Sequence, residues 1–101
     1  MDKKYKVHIT TSAQTDIQLI YDYIARENPK NAVHFIDELQ AKAAALSQFP
    51  QRQPAISENS FFGTDYRQLI VKKYRIIYRI AETDVFILRI VHGMRSIEKL
   101  P

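Results

Sequence analysis

Three β-strands are predicted by a single stretch of the chain, YRQLIVKKYRIIYRIAETDVFILRIVH, residues 66–92. The stretch is rich in β-branched and aromatic residues, which favour strands. Only two short polar breaks interrupt it, and each has the length that a hairpin turn requires. We therefore expect an antiparallel sheet built from strands at residues 66–72, 74–80 and 84–92.

The residues before this stretch predict one more strand and two helices. Apolar and polar residues alternate at residues 6–10, and from residue 17 to residue 46 apolar residues recur at helical spacing. Asn28-Pro29 divides the helical pattern, because proline disfavours helix in the preceding residue but is favoured at the first position of a helix. The expected order is β-α-α-β-β-β. This is an α+β fold in a single domain, residues 1–101, with a helical hairpin packed on one face of an antiparallel sheet.

Residues 50–64 fit neither pattern. They contain Pro50, Pro54, a polar stretch and then Phe61-Phe62-Gly63. A loop of this length is uncommon in a small domain and is often functional. The alternative is a strap whose two phenylalanines plug the edge of the core.

The composition is typical of a small domain from a reducing compartment. With 101 residues, 46% of them hydrophobic, the chain can bury one core. It has no cysteine, which excludes disulfides and thiolate metal sites. It has no apolar run of the roughly 20 residues that a membrane span needs. The charged N-terminus has no apolar segment behind it, so we expect no secretory signal and a cytoplasmic location.

The net charge of +4 is unevenly distributed. Residues 1–60 carry seven basic and seven acidic side chains, whereas residues 61–101 carry eight basic and four acidic. The whole excess therefore lies in the second range. This asymmetry predicts a basic face suited to a polyanion or to an acidic protein surface.

Period-two alternation assigns the strand residues to two sheet faces. The face under the helices is expected to take Tyr74, Ile76, Tyr78 and Ile80. The opposite face is expected to take Arg75, Ile77 and Arg79 and, in the simplest hairpin register, Gln68, Ile70, Phe86, Leu88, Ile90 and His92. An exposed face that mixes arginines with large apolar side chains indicates that a partner covers it. The alternative is that the chain covers it, with its C-terminal tail or its Phe61-Phe62 loop.

The end of the last predicted strand holds a second candidate site. His92 precedes Gly93, which allows a sharp bend, and Arg95 follows two residues later. An arginine fork suits phosphate or carboxylate, and histidine can act as acid or base near neutral pH. A packed, hydrogen-bonded edge residue is the alternative interpretation of His92.

Other patterns that carry chemistry are missing from the sequence. Gly63 and Gly93 are the only glycines, so there is no glycine-rich phosphate loop. The three histidines lack metal-ligand spacing, and there is neither a paired-carboxylate motif nor a serine in a nucleophile-elbow context. We expect no metal and no cofactor.

Several segments together resemble toxins of the RelE/ParE superfamily. The main segment is YRIIYRIAETDVFILRIVHGMR, residues 74–95. Two further segments fit the same pattern: SAQTDIQLIYDYI, residues 12–24, and Tyr66-Arg67-Gln68-Leu69. The resemblance covers nearly the whole chain. It implies a toxin of a type II toxin–antitoxin system that causes growth arrest and is neutralised by a cognate antitoxin in a hetero-oligomer.

The superfamily divides in mechanism, and the resemblance favours the ParE-like branch, whose members inhibit DNA gyrase and are not nucleases. RelE-like members cleave mRNA on the ribosome, and the resemblance matches their strand arginine to Arg75 and the arginine after the last strand to Arg95. Their paired lysines would fall at Tyr66 and Gln68, neither of which is basic, and their C-terminal catalytic tyrosine has no counterpart. A ribosome-dependent mRNA endonuclease remains the alternative, with a catalytic set of Arg75, His92 and Arg95.

Two sets of contact residues follow from this interpretation. Those expected to contact the target are Arg75, Arg79, His92 and Arg95. Those expected to contact the antitoxin are Arg75, Arg79, Phe86, Leu88 and Ile90. The antitoxin segment that meets this basic surface is expected to be acidic.

Overall fold

The computed structural model describes residues 4–93, and within this range the elements follow the predicted order. The strands are β1 (Lys6–Ile9), β2 (Arg67–Val71), β3 (Tyr74–Ala81) and β4 (Asp84–His92). The helices are α1 (Thr11–Ala25), α2 (Pro29–Ala44) and the one-turn α3 (Asn59–Phe62), and single 3-10 turns lie at Ala45–Ser47 and Pro50–Arg52.

Side chains cap the N-termini of both long helices. The hydroxyl of Thr10 accepts a hydrogen bond from the backbone N–H of Ala13, at 3.3 Å, and the side-chain oxygen of Asn28 accepts one from Asn31, at 3.1 Å. Each cap satisfies a backbone N–H that has no partner within the helix. Pro29 is the first residue of α2. The boundary predicted at Asn28-Pro29 is therefore confirmed.

The four-stranded sheet is mixed rather than purely antiparallel. Its strand order is β1-β4-β3-β2, in which β2, β3 and β4 are antiparallel neighbours as predicted. The first strand lies parallel to β4, with Val7 opposite Val85. The prediction of an antiparallel sheet is therefore wrong at β1. Parallel neighbours need a long crossover connection, which the elements between β1 and β4 supply.

The main core lies between the helical hairpin and one face of the sheet, as predicted. Ile76 and Tyr78 are fully buried in it, with Tyr74 and Ile80 packed at its margin. Tyr78 donates its hydroxyl to the backbone oxygen of Pro50, at 2.5 Å. Burial raises the pKa of Tyr78 to about 12.

A β-bulge between β3 and β4 changes which β4 residues share a face. The register shifts at Leu88, which is an extra residue without a cross-strand partner and is itself buried. Before the bulge, Phe86 lies on the face opposite the helices, whereas beyond it Ile90 packs into the main core. The predicted common face of Phe86, Leu88, Ile90 and His92 is therefore wrong, because the simplest register assumes no bulge.

Candidate functional site

Residues 54–66, which we call the cover segment, cross part of the sheet face opposite the helices, which we call the outer face. Ile56 is only 3% exposed and packs against Ile77 and Val91, with Tyr66 beside them. Burial of these apolar side chains favours the closed arrangement. The expectation of an open outer face is wrong for this half, because the chain itself covers it.

The two phenylalanines of the cover segment do not plug the core. Phe61 is 84% exposed and Phe62 is partly buried, and their rings meet edge to face with centroids 5.1 Å apart. Both lie in α3, which ends at Gly63 with a φ of 68°. The strap interpretation is thus correct for the segment, but Ile56 is the residue that fills the apolar contact.

Arg75 lies beneath the cover segment with its side chain only 9% exposed. Its Nη1 and Nη2 donate to the two carboxylate oxygens of Glu58, at 2.9 and 2.8 Å, and its Nε donates to the Gln68 side-chain oxygen, at 2.7 Å. The hydrogen bonds from Arg75 lower the pKa of Glu58 to about 2. The guanidinium expected to face the target is therefore already bound by a carboxylate of the same chain.

On the uncovered part of the outer face, three planar side chains from three strands stack on one another. The Cζ of Arg79, on β3, lies 4.4 Å from the ring centroid of Phe86, on β4. The ring of His8, on β1, stacks on the same Phe86 ring, with the two ring centroids 4.9 Å apart. The Nε2 of His8 lies 2.7 Å from Asp84 Oδ1. Arg79 and Phe86 were predicted for this face. His8 was missed, because nothing in the sequence places β1 beside β4.

His92 lies at the end of β4 on the margin of the helix side rather than with Arg75 and Arg79. Its ring meets that of Tyr74 edge to face, with centroids 5.6 Å apart, and it is partly buried. The backbone N–H of Gly93 donates to the oxygen of Lys73 at 2.7 Å. A Cβ at Gly93 would lie 3.3 Å from that oxygen, so the close approach favours glycine. Arg95 lies outside the described residues.

The residues predicted to contact an antitoxin are not all accessible in this structure. Leu88 and Ile90 are buried, at 5% and 2% exposure, and Arg75 is held under the cover segment. Phe86 and Arg79 are partly exposed on the outer face. The bulge at Leu88 moves Ile90 to the core side, and the cover segment shields Arg75, so these residues are less accessible than predicted.

A partly buried ion pair joins α1 to β4 where β1 no longer covers the sheet edge. Arg89 donates from Nε and Nη2 to the carboxylate of Asp16, at 2.7 and 3.1 Å. The same carboxylate accepts the backbone N–H of Ile90, at 2.9 Å. The hydrogen bonds to Asp16 raise the pKa of Arg89. Asp16 therefore pairs an arginine and caps a strand edge at once.

An apolar groove of about 330 Å³ runs between α1 and the end of β4. Leu19 and Tyr23, one helical turn apart, form one wall and are 61% and 68% exposed. Tyr74 and His92 lie opposite, and both also line an adjoining groove of about 440 Å³ that includes Lys72 and Lys73. The sequence signal for this groove is the pair Leu19 and Tyr23, two apolar residues that lie off the stripe of α1 that faces the core.

The described range, residues 4–93, lacks two other kinds of feature. No group of three or more metal-binding side chains comes together in that part of the chain. None of its helices combines the length and the hydropathy that crossing a membrane requires.

Solved structures of toxin–antitoxin systems share this architecture. A chain from the chromosomal ParDE TA system of P. aeruginosa superimposes with a TM-score of 0.72 and 22% sequence identity, over 88% of this chain and 96% of that one. A chain from the toxin–antitoxin complex RelBE2 of Mycobacterium tuberculosis superimposes with a TM-score of 0.59 and 26% identity, over 89% and 92%. No curated protein sequence matches the chain.

The helical hairpin on a mixed four-stranded sheet is thus the fold of the RelE/ParE superfamily. A family model for the ParE toxin of the type II toxin–antitoxin system parDE matches residues 7–97. The chain belongs to this ParE toxin family. Both the predicted superfamily and its ParE-like branch are confirmed.

Proposed function

We propose that this chain is a cytoplasmic toxin that arrests growth by inhibiting DNA gyrase and that a cognate antitoxin neutralises it in a hetero-oligomer. The observation that carries the proposal is the match to the ParE toxin family over residues 7–97. The bonding of Arg75 favours inhibition by binding over RNA cleavage. In the closed arrangement Glu58 and Gln68 hold the donors of this guanidinium, so a phosphate would have to displace the carboxylate before Arg75 could clamp it.

The gyrase contact is assigned to two places on the surface. The first is the uncovered part of the outer face, where Arg79 lies over the ring of Phe86 and presents a cation beside an apolar surface. The second is the end of β4, with His92 and the following Arg95. Arg75 joins the first place only when Glu58 releases it. The mechanism requires neither a metal nor a cofactor.

Purified toxin and gyrase in a supercoiling assay test this function. Wild-type toxin at micromolar concentration is expected to block supercoiling or to accumulate cleaved DNA. Arg79→Ala is expected to weaken inhibition about tenfold or more. Arg26→Ala is the matched control, because it removes the same charge from an exposed helix end, and its effect is expected to stay within about twofold. A wild-type toxin without effect on gyrase would refute the proposal.

Mapping of transcript 5′ ends after induction separates gyrase inhibition from the endonuclease alternative, because only the nuclease cuts within codons. Two substitutions test the end of the last strand, and only the second of them divides the two mechanisms. Arg95→Ala is expected to abolish growth arrest at matched expression. His92→Ala is expected to cost far less than the roughly 100-fold loss that removal of a proton-transfer group causes.

The antitoxin is assigned to the apolar groove beside α1. Exposed Leu19 and Tyr23 offer apolar contacts there, and Lys72 and Lys73 at the adjoining groove favour an acidic segment. Leu19→Glu is expected to weaken binding about 100-fold, since it places a carboxylate in an apolar contact. The control is Val33→Glu, at a similarly exposed apolar residue on α2. Both variants are expected to arrest growth when expressed alone. Equal antitoxin affinity of the two variants would place the antitoxin elsewhere.

A further inference from the structure

The cover segment is a compact unit that one side chain holds together. The side-chain oxygen of Asn59 accepts hydrogen bonds from the backbone N–H of Tyr66, at 2.9 Å, and from the hydroxyl of Thr64, at 2.7 Å. Its amide nitrogen donates to the backbone oxygen of Tyr66, at 2.8 Å. These three bonds lie within the loop itself. The part of the loop beyond its backbone pairing with β2, where Ala55 lies opposite Arg67, can therefore move away from the sheet and keep its own structure.

Three side chains of this unit, those of Ile56, Glu58 and Tyr66, contact the outer face, and the backbone oxygen of Pro54 at its base accepts the N–H of Gln68 on β2, at 3.0 Å. Ile56 packs against Ile77 and Val91 in a small cluster separate from the main core. Glu58 forms the two hydrogen bonds with Arg75 described above. A region fastened by few buried apolar contacts opens at a lower free energy than the whole domain unfolds. The cover segment can thus open while the sheet stays folded.

We propose that Arg75 and Gln68 form a carboxylate-binding site, which Glu58 occupies in the free toxin and which an acidic side chain of the inhibited protein takes over when the cover segment opens. The inference rests on the proposed function for the identity of that protein. The geometry of the occupied site supports a carboxylate as the ligand. The two terminal nitrogens of Arg75 meet both oxygens of one carboxylate, at 2.8 and 2.9 Å, and Gln68 fixes the plane of the fork through Nε.

The exchange of one carboxylate for another avoids the main cost of using a buried arginine. A guanidinium this deeply buried is destabilising when it has no partner, and Glu58 removes that cost in the free toxin. After the exchange the partner's carboxylate makes the same kind of bonds. The balance is then decided by apolar contacts, since the partner must cover Ile77 and Val91 and can also engage exposed Phe61.

Chemical modification of the full-length toxin tests whether the cover segment opens. Phenylglyoxal reacts with accessible arginines, and peptide mass spectrometry gives the rate at Arg75. Glu58→Gln and Ile56→Ala, each checked for folding by circular dichroism, are expected to raise that rate about tenfold. The control is Glu38→Gln, which removes the same charge from an exposed pair with Lys72, and it is expected to stay within about twofold. Unchanged protection of Arg75 in both folded variants would overturn the proposal.

Gyrase inhibition tests whether the uncovered site binds the partner. Glu58→Gln is expected to lower the half-inhibitory toxin concentration about tenfold, because the internal competitor is gone. Adding Arg75→Gln to that variant is expected to remove the gain. Inhibition that is unchanged or weaker in Glu58→Gln would contradict the exchange.

Protection experiments separate this inference from the proposed function. Gyrase, and not single-stranded RNA, is expected to shield Arg75 of the Glu58→Gln variant from phenylglyoxal. Shielding by RNA alone would show a phosphate site and overturn the carboxylate assignment. If wild-type toxin inhibits gyrase while gyrase leaves Arg75 reactive, this inference fails and the proposed function stands. If wild-type toxin has no effect on gyrase, gyrase is the wrong partner in both the proposed function and this inference. The modification rates of Arg75 then decide by themselves whether the cover segment opens.

Discussion

Asp16→Ala is expected to be among the most destabilising substitutions in α1, because Asp16 is a buried carboxylate with three hydrogen bonds. Its carboxylate accepts two hydrogen bonds from Arg89, at 2.7 and 3.1 Å, and one from the backbone N–H of Ile90, at 2.9 Å. Alanine provides none of these acceptors. The substitution therefore leaves an arginine without its partner and a strand-edge N–H without an acceptor.

The cost can be worked from these two losses. An unsatisfied buried backbone N–H costs about 1–3 kcal/mol. Breaking a fully buried ion pair costs about 3–5 kcal/mol, but the side chain of Arg89 is 28% exposed and can partly rehydrate, so about 1–2 kcal/mol is reasonable. The sum is about 3 kcal/mol. For a domain of this size such a loss lowers Tm by roughly 10–20 °C.

Urea unfolding followed by circular dichroism measures this loss directly. Asp22→Ala is the control on the same helix, because Asp22 is exposed and accepts only a Gln18 amide hydrogen bond at 3.0 Å among the bonds described, and it is expected to change stability by less than about 0.5 kcal/mol. Asp16→Asn keeps an acceptor for Ile90 and is expected to lose about half as much as Asp16→Ala. The reasoning is refuted if Asp16→Ala is as stable as Asp22→Ala.

Three further outcomes are expected. Lowering the pH from 5 to 2 protonates Glu58, whose pKa of about 2 in the fold lies below its ordinary 4.5, so stability present above pH 4.5 is lost towards pH 2. Denaturant unfolding at both pH values should show that wild type loses more stability on acidification than Glu58→Gln does, by at most about 3 kcal/mol. Tyr78→Phe removes the bond to Pro50 and should cost about 1–2 kcal/mol in the same assay. Thr10→Ala removes the α1 cap and should lower stability by about 1–2 kcal/mol, whereas an unchanged Tm would contradict the cap.

The elements of this fold were predictable where their signals are local. Asn28 and Pro29 mark a helix start by their own conformational preferences, and the alternation from Tyr74 to Ile80 assigns the two faces of β3. The pairing of β1 with β4 has no such signal, because it joins opposite ends of the chain. The bulge at Leu88 is equally hidden, since it depends on the packing of a whole hairpin.

The position of the cover segment on the outer face was not predicted from the sequence, for a different reason. Ile56 is one apolar residue in a polar stretch, so its burial is not visible from its neighbours in sequence. The residues of the outer face do indicate that something covers it. Ile77 alternates with Arg75 and Arg79 on a face expected to be wet, and a large apolar residue there favours a covering group. From the sequence, that group could be either the chain itself or a partner, and in the structure the chain covers Ile77.

The strand arginines show why a basic surface cannot be read from charge alone. Arg75, Arg79 and Arg89 look alike in sequence, each with apolar residues on either side in a strand. In the fold a carboxylate from the cover segment binds Arg75 and one from α1 binds Arg89, whereas Arg79 lies over an aromatic ring on the outer face. Because both carboxylates come from remote segments, strand alternation gives no information about which arginine a partner can reach. The basic excess of residues 61–101 therefore overstates the charge available to a target, because Glu58 and Asp16 already bind two of its arginines.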